Sequence, residues 1–131
     1  MDHRGMKPDC FLFDFDGTLC RLFSRYDLGP VRRDLQRAMQ PLGVPFSPEQ
    51  DAFDVFGAIL THLPAGPCRT RALQQADALL TRAETEAAGT GDPVPGVREC
   101  LTVLLARGCR LGVVTNNSPA SVQRFLDRCF N

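Results

Sequence analysis

The stretch Phe11-Leu12-Phe13-Asp14-Phe15-Asp16-Gly17-Thr18-Leu19 decides how this chain is read. Cys10-Phe11-Leu12-Phe13 is a short continuous apolar run that ends at Asp14 and a Gly17 turn, the pattern expected of a parallel strand covered on both faces. Asp14 and Asp16 then stand two residues apart just past that strand, so both can be aimed at one reaction centre while Gly17 permits the sharp turn. Such a pair can divide labour. One carboxylate can attack phosphorus to form an aspartyl-phosphate, while the other protonates the leaving oxygen and later takes a proton from the hydrolytic water. A divalent cation is needed to offset repulsion between carboxylate and phosphate, and hard oxygen ligands favour magnesium. The plainer alternative is an acidic turn that merely ends a strand. The whole string, more than its Asp-x-Asp alone, favours chemistry over that alternative.

Working outward, Leu111-Gly112-Val113-Val114 repeats the apolar pattern and ends in Thr115-Asn116-Asn117-Ser118. Two strands thus carry polar residues at their C-terminal ends, the edge where open α/β sheets place ligands. A threonine hydroxyl and backbone N–H groups at the start of a helix can bind an anion, helped by the helix dipole. Alone, this segment reads more readily as an ordinary N-cap at Ser118 than as a ligand site. Beside the first motif, it becomes a phosphate clamp built on Thr115 and Asn116.

The long middle of the chain reads as helices. Val31, Leu35, Ala38, Met39 and Leu42 recur at helical spacing, as do Phe53, Phe56, Ile59, Leu60 and Leu63, and Leu73, Ala76, Leu79, Leu80 and Ala83 suggest a third helix. Ser47-Pro48-Glu49-Gln50 offers an N-cap, a proline at the first helical position and a glutamine three on, a start signal for the second helix. Gly89-Thr90-Gly91-Asp92-Pro93-Val94-Pro95-Gly96 is the densest cluster of breakers and marks the return to the sheet-bearing core. Val97, Leu101, Leu104 and Leu105 form one face of a helix stopped by Gly108, and Ser118-Pro119 opens a last helix with Val122, Phe125, Leu126 and Cys129 inside.

Composition narrows the functional classes. The chain has 131 residues, 44% apolar and 23% charged, which fits a folded globular protein and disfavours disorder or a coiled coil. Fifteen basic and fifteen acidic residues cancel, leaving no broad positive field for nucleic acid or an anionic membrane. Lys7 is the only lysine, so any role needing an interior lysine is unfilled. The six cysteines form no Cys-x-x-Cys pair, which weakens zinc and redox readings. With no apolar leader at the N-terminus and no run of membrane-spanning length, a reducing, cytoplasmic location is expected. His3 and His62 stand in no metal or triad spacing, and Arg32, Arg33 and Arg37 read as a solvated helix face.

These motifs resemble the haloacid dehalogenase superfamily. Phe11 to Leu19 is similar to its first motif and Val113-Val114-Thr115-Asn116 to its second, and Pro95-Gly96-Val97 to Asn116 looks particularly like the phosphoglycolate phosphatase-type members, whose helical cap is inserted between the two. The resemblance implies an α/β fold: a partial Rossmann-like parallel sheet from residues 1–19 and 93–131, with an inserted α-helical cap over 20–92. It implies Asp14 as nucleophile, Asp16 as acid/base, magnesium held by the Asp14 carboxylate and the Asp16 backbone carbonyl, and Thr115 and Asn116 on the phosphoryl oxygens. An acidic residue at position 16 points to phosphate-ester chemistry on a small phosphorylated metabolite. Phosphomutases share the same pair and stay open.

The sequence departs from that family after its second motif. The third motif's cation and the fourth motif's acidic magnesium ligands have no clear counterpart, since Arg124, Asp127 and Arg128 fall on the last helix. The expectation is therefore a truncated chain, or one completed by another chain, whose phosphohydrolase activity is impaired. A non-catalytic binding remnant is the rival from another class. Two buried-type strands alone would expose apolar edges, which makes self-association an expectation as well.

Overall fold

The structure, a computed structural model, describes residues 9–130. The N-terminal readings, including His3 and Lys7, lie outside them. Strand β1 (Cys10–Phe13) leads into a tight loop and the two-residue strand β2 (Cys20–Arg21). Helices α1 (Gly29–Met39), α2 (Asp54–His62) and α3 (Pro67–Ala88) follow, then β3 (Asp92–Pro93), α4 (Val97–Ala106), β4 (Arg110–Val113) and α5 (Pro119–Phe130).

β1 pairs with β4 in parallel, Phe13 opposite Val113. The hydrogen bond from Val114 N–H to the Phe13 carbonyl, 2.8 Å, carries the pairing to the strand ends. The parallel α/β sheet expected from the two apolar runs is therefore present. Its covering on both faces is not, because only one face of β1 has helices against it: Phe13 packs inward while Leu12 is 69% exposed. α4 is likewise only half covered, with Val97 and Leu101 packed and Leu105 open to solvent.

Two apolar clusters form, and they follow the periodicities. Leu35 and Met39 of α1, Val55 and Ile59 of α2, and Ala72, Ala76 and Leu80 of α3 build one, joined by Val44, Phe46 and Ala52 from the connections. The second gathers Phe15, Leu19, Cys20 and Leu22 after β1, Ala87 and Ala88 at the end of α3, and Phe125 and Cys129 of α5. Phe15 meets Phe125 edge-on at 5.4 Å between centroids, the geometry aromatic quadrupoles favour.

Ser47-Pro48-Glu49-Gln50 does not open α2. Its reciprocal bonds form, with Ser47 N–H donating to Gln50 Oε1 at 2.9 Å and Glu49 N–H to Ser47 Oγ, but they close an isolated turn. The chain restarts at Asp51, whose carboxylate takes the Phe53 N–H at 2.8 Å. This break lets Phe46 and Ala52 both reach the first cluster before the helix begins.

The short β2–β3 ribbon, antiparallel with Cys20 opposite Pro93, escaped the sequence reading. It ties together the two places where the chain passes between the clusters. Gly91 makes this possible, since a Cβ there would lie 2.8 Å from the Leu22 carbonyl oxygen. Arg124 and Arg128 of α5 donate to the backbone carbonyls of Thr85, Ala88 and Gly91, occupying acceptors at the end of α3.

Cys20 lies within the second cluster, and burial, with the nearby Asp16 charge adding, pushes its thiol up to about 12. A thiol that ionises less readily folded than unfolded stabilises the fold fully below its ordinary value of 9.0; that contribution drains as pH rises from there toward about 12. Native-state alkylation at about pH 8 should therefore modify the exposed Cys10, Cys68 and Cys100 and spare Cys20 and Cys129 until denaturant is added. Rapid native labelling of Cys20, read by peptide mass mapping, would contradict this packing.

Candidate active site

The loop after β1 is wound around a single carbonyl. Phe15 O accepts the N–H groups of Thr18, Leu19 and Cys20 at 3.2, 2.9 and 3.2 Å, and Gly17 turns the chain at φ +88°, a conformation that favours glycine. Phe15 is fully buried, so the two flanking carboxylates are held at the surface by an anchored residue. Asp14 Oδ1 accepts the Phe15 N–H at 2.7 Å and Asp16 Oδ1 the Leu22 N–H at 3.1 Å. Each acid keeps its second oxygen outside these bonds.

The parallel register then places the two motifs side by side. With Phe13 opposite Val113, Asp14 and the Val114-Thr115 step leave the sheet from adjacent strand ends. Thr115 Oγ1 donates to Asn117 Oδ1 at 2.8 Å and accepts the Asn117 N–H at 3.1 Å, so its hydroxyl is committed to the turn. Ser118 acts as the N-cap of α5, accepting the Ser121 N–H at 3.3 Å.

In front of this edge opens a cleft of about 1040 Å³. Asp16, Asn116, Asn117 and Ser118 line its floor; Phe23, Phe53, Phe56, Asp77, Leu80 and Thr81 line the opposite wall. Of the residues singled out from sequence, Asp16 and Asn116 are thus brought together in one cavity, while Asp14 and Thr115 stand at the strand ends and do not line it. His62 lies on α2 with Nδ1 2.9 Å from the Ala58 carbonyl oxygen, away from the cleft. Arg37 is paired with Asp34, and Arg32 and Arg33 do not line the cleft either.

Glu84 was missed. It comes from α3, is only 5% exposed, and its Oε2 accepts the Ser118 N–H at 2.7 Å, with Ser121 Oγ at 3.5 Å. It therefore occupies a donor at the positive end of α5 and fastens α3 to the turn that precedes α5. A signal existed: Ala72, Ala76, Leu80, Glu84 and Ala88 fall four apart on α3, so a charge stands in the buried row. Glu84→Ala should cost about 1–3 kcal/mol in urea unfolding by orphaning the Ser118 N–H, and Glu84→Gln, which keeps an acceptor, clearly less. Equal losses from both would show that the charge, and not the hydrogen bond, matters.

The donor set near β1 suits a hard cation. Two carboxylates and the backbone carbonyls of the loop are oxygen donors, and magnesium commonly takes one or two carboxylates while keeping water and substrate phosphate as its other ligands. Among the described residues no group of three His, Cys, Asp or Glu side chains is assembled for a metal. The site fits a sparsely liganded magnesium ion and not a closed zinc centre.

The fold resembles the crystal structure of a predicted phosphoglycolate phosphatase from Haemophilus somnus 129PT, with TM-score 0.55 and 20% sequence identity over 95% of this chain and 59% of that one. At that identity the likeness concerns the fold, and the present chain spans 59% of the length of the solved protein. Comparison with curated proteins gave no match. The family model of haloacid dehalogenase-like hydrolases matches residues 8–131, from just before β1 through α5. The chain belongs to the haloacid dehalogenase-like hydrolase family.

Proposed function

We propose that this chain carries the nucleophile and phosphate-binding residues of a magnesium-dependent phosphomonoesterase acting on a small phosphorylated metabolite. The observation that supports it is the register of β1 and β4, which sets Asp14 and Asp16 beside the Thr115-Asn116 strand end. In this reading an Asp14 carboxylate oxygen attacks phosphorus, the ester P–O bond breaks, and Asp16 delivers its proton to the departing oxygen. Water then gives a proton back to Asp16 and attacks the aspartyl-phosphate, releasing inorganic phosphate and restoring Asp14. Thr115 and Asn116 orient the phosphoryl oxygens. The Asp14 carboxylate and the Asp16 backbone carbonyl would hold magnesium, which when bound would supply the positive charge that lets an anionic nucleophile meet an anionic phosphate.

We read residues 20–92 as a cap inserted into a core of 1–19 and 93–131. The two separate apolar clusters support two lobes, and the β2–β3 ribbon lies where the chain crosses between them. A reducing, cytoplasmic setting is consistent with the free thiols of Cys10, Cys20, Cys68, Cys100 and Cys129, and no helix among the described residues is long and apolar enough to cross a membrane. Self-association through the open side of the sheet is part of the proposal, supported by Leu12 at 69% and Val114 at 62% exposure. A monodisperse monomer in solution scattering would remove it.

A second reading, a module that binds magnesium or phosphate without turnover, is favoured by one observation: Asp14, the candidate nucleophile, stands outside the cleft that Asp16 and Asn116 line. Hydrolysis of a generic phosphate monoester with and without magnesium separates the two. Metal-dependent release of phosphate supports the phosphatase; a folded sample with no release supports the binding module.

A further inference from the structure

The wall of the cleft opposite Asp16 and Asn116 has a definite chemical character. Phe23 from the loop after β2 and Phe53 just ahead of α2 approach to 6.1 Å between ring centroids at 56°, one packed against each apolar cluster. Phe56 and Leu80 extend this surface, so the cleft that Asp16 lines carries three phenylalanines and a leucine, with Asp77 and Thr81 beside them. The charged side chains that line the cleft are Asp16, Asp77 and Glu84, and no lysine, arginine or histidine lines it among the described residues. Magnesium at the strand ends would be engaged by the phosphoryl group and Asp14. A second anionic group on the substrate, reaching toward the lobe, would meet aromatic faces and the Asp77 carboxylate with no cation to receive it.

Resting on the phosphatase reading of the same site, we propose that the substrate is a phosphate monoester of an apolar or aromatic alcohol, uncharged or cationic beyond the phosphate, and not a carboxylated phosphoester. Aromatic rings stack or meet edge-on with Phe23, Phe53 and Phe56, and Asp77 discriminates against carboxylates through like-charge repulsion. Asp77 is exposed on α3 and makes none of the contacts that fasten α3 to α5, so it can be changed without disturbing that contact.

The test is calorimetric titration of the chain, with magnesium present, by two compounds whose C–P bond resists hydrolysis: benzylphosphonate and phosphonoacetate, which carries a carboxylate. Benzylphosphonate should bind at least about tenfold more tightly, with Asp77→Asn narrowing the gap and Phe56→Ala weakening the benzyl compound alone. Equal binding, tighter binding of phosphonoacetate, or no binding of either overturns the inference. Hydrolysis of benzyl phosphate and of phosphoglycolate, run in parallel, reads the phosphatase proposal separately. Turnover that prefers phosphoglycolate keeps the phosphatase and overturns this substrate class. No turnover of either, with the binding preference intact, overturns the phosphatase and keeps the selectivity of the cleft.

Discussion

Asp14→Asn should reduce magnesium-dependent phosphate release by roughly 10⁴-fold or more, the scale of losing a nucleophile that acts as part of a unit. It should do so with little loss of stability. Asp14 is exposed, and its Oδ1 accepts only the adjacent Phe15 N–H, a bond an asparagine carbonyl oxygen can make equally well. Steady-state kinetics beside a thermal melt of the same preparation checks both halves. Residual activity within about tenfold of the parent would assign the attack to a different group.

Phe125→Ala should be the most destabilising single truncation in the sheet-side cluster, at about 3–5 kcal/mol. Phe125 is fully buried, lies 5.4 Å from the Phe15 ring and 5.8 Å from Phe130, and is flanked by Arg128 over its face at 5.7 Å. A loss of that size is a large share of the roughly 5–15 kcal/mol that holds an ordinary domain together, and corresponds to a fall in Tm of roughly 10–20 °C. The effect extends to the chemistry, because Phe15 stands between the two catalytic candidates and Phe125 is its support. Chemical denaturation measures the stability; kcat at a temperature where the variant is still folded measures the second effect. A loss below about 1 kcal/mol would mean that α5 does not dock on the loop as described.

What could be read from the sequence was what local pattern encodes. The runs at Cys10–Phe13 and Leu111–Val114 are short, apolar and closed by polar turns, and that length and those turns favour strands over buried helix segments. α1 is legible from Val31, Leu35 and Met39, and α5 from Phe125 and Cys129, because their buried rows have the helical period. What was missed depends on partners distant in the chain. The β2–β3 ribbon joins two-residue strands too short to carry a period, and its close approach depends on Gly91 lying against Leu22. The capping signal at Ser47–Gln50 is locally satisfied but was overridden by the burial of Phe46 and Ala52.

The candidate site was legible in its residue types and less so in its assembly. Asp14, Asp16, Thr115 and Asn116 were identified by position after strands, yet the cleft is lined by only Asp16 and Asn116 of these. Its opposite wall comes from Phe53 and from Phe56, Asp77 and Leu80 on lobe helices whose periodicity marks core faces and gives no indication of which residues look across a gap. Thr115 illustrates the same limit, since the sequence puts its hydroxyl forward as a phosphate ligand while the structure commits it to Asn117. Binding a phosphoryl group through that hydroxyl therefore requires exchange of one short hydrogen bond for another, whereas Asn116, exposed at the cleft, needs no such exchange.

Turnover by this route requires that Asp14 become phosphorylated. The most direct measurement mixes the Asp16→Asn variant with a radiolabelled aryl phosphate and magnesium, quenches in acid, and maps the label. An aryl leaving group departs without a proton from Asp16, while breakdown of the acyl phosphate still lacks its base, so the intermediate should accumulate. The expected result is a hydroxylamine-labile label on the peptide containing Asp14, absent when Asp14 is also replaced. Phosphate release by the parent chain with no label on Asp14 in the variant, or with label on another residue, would contradict it.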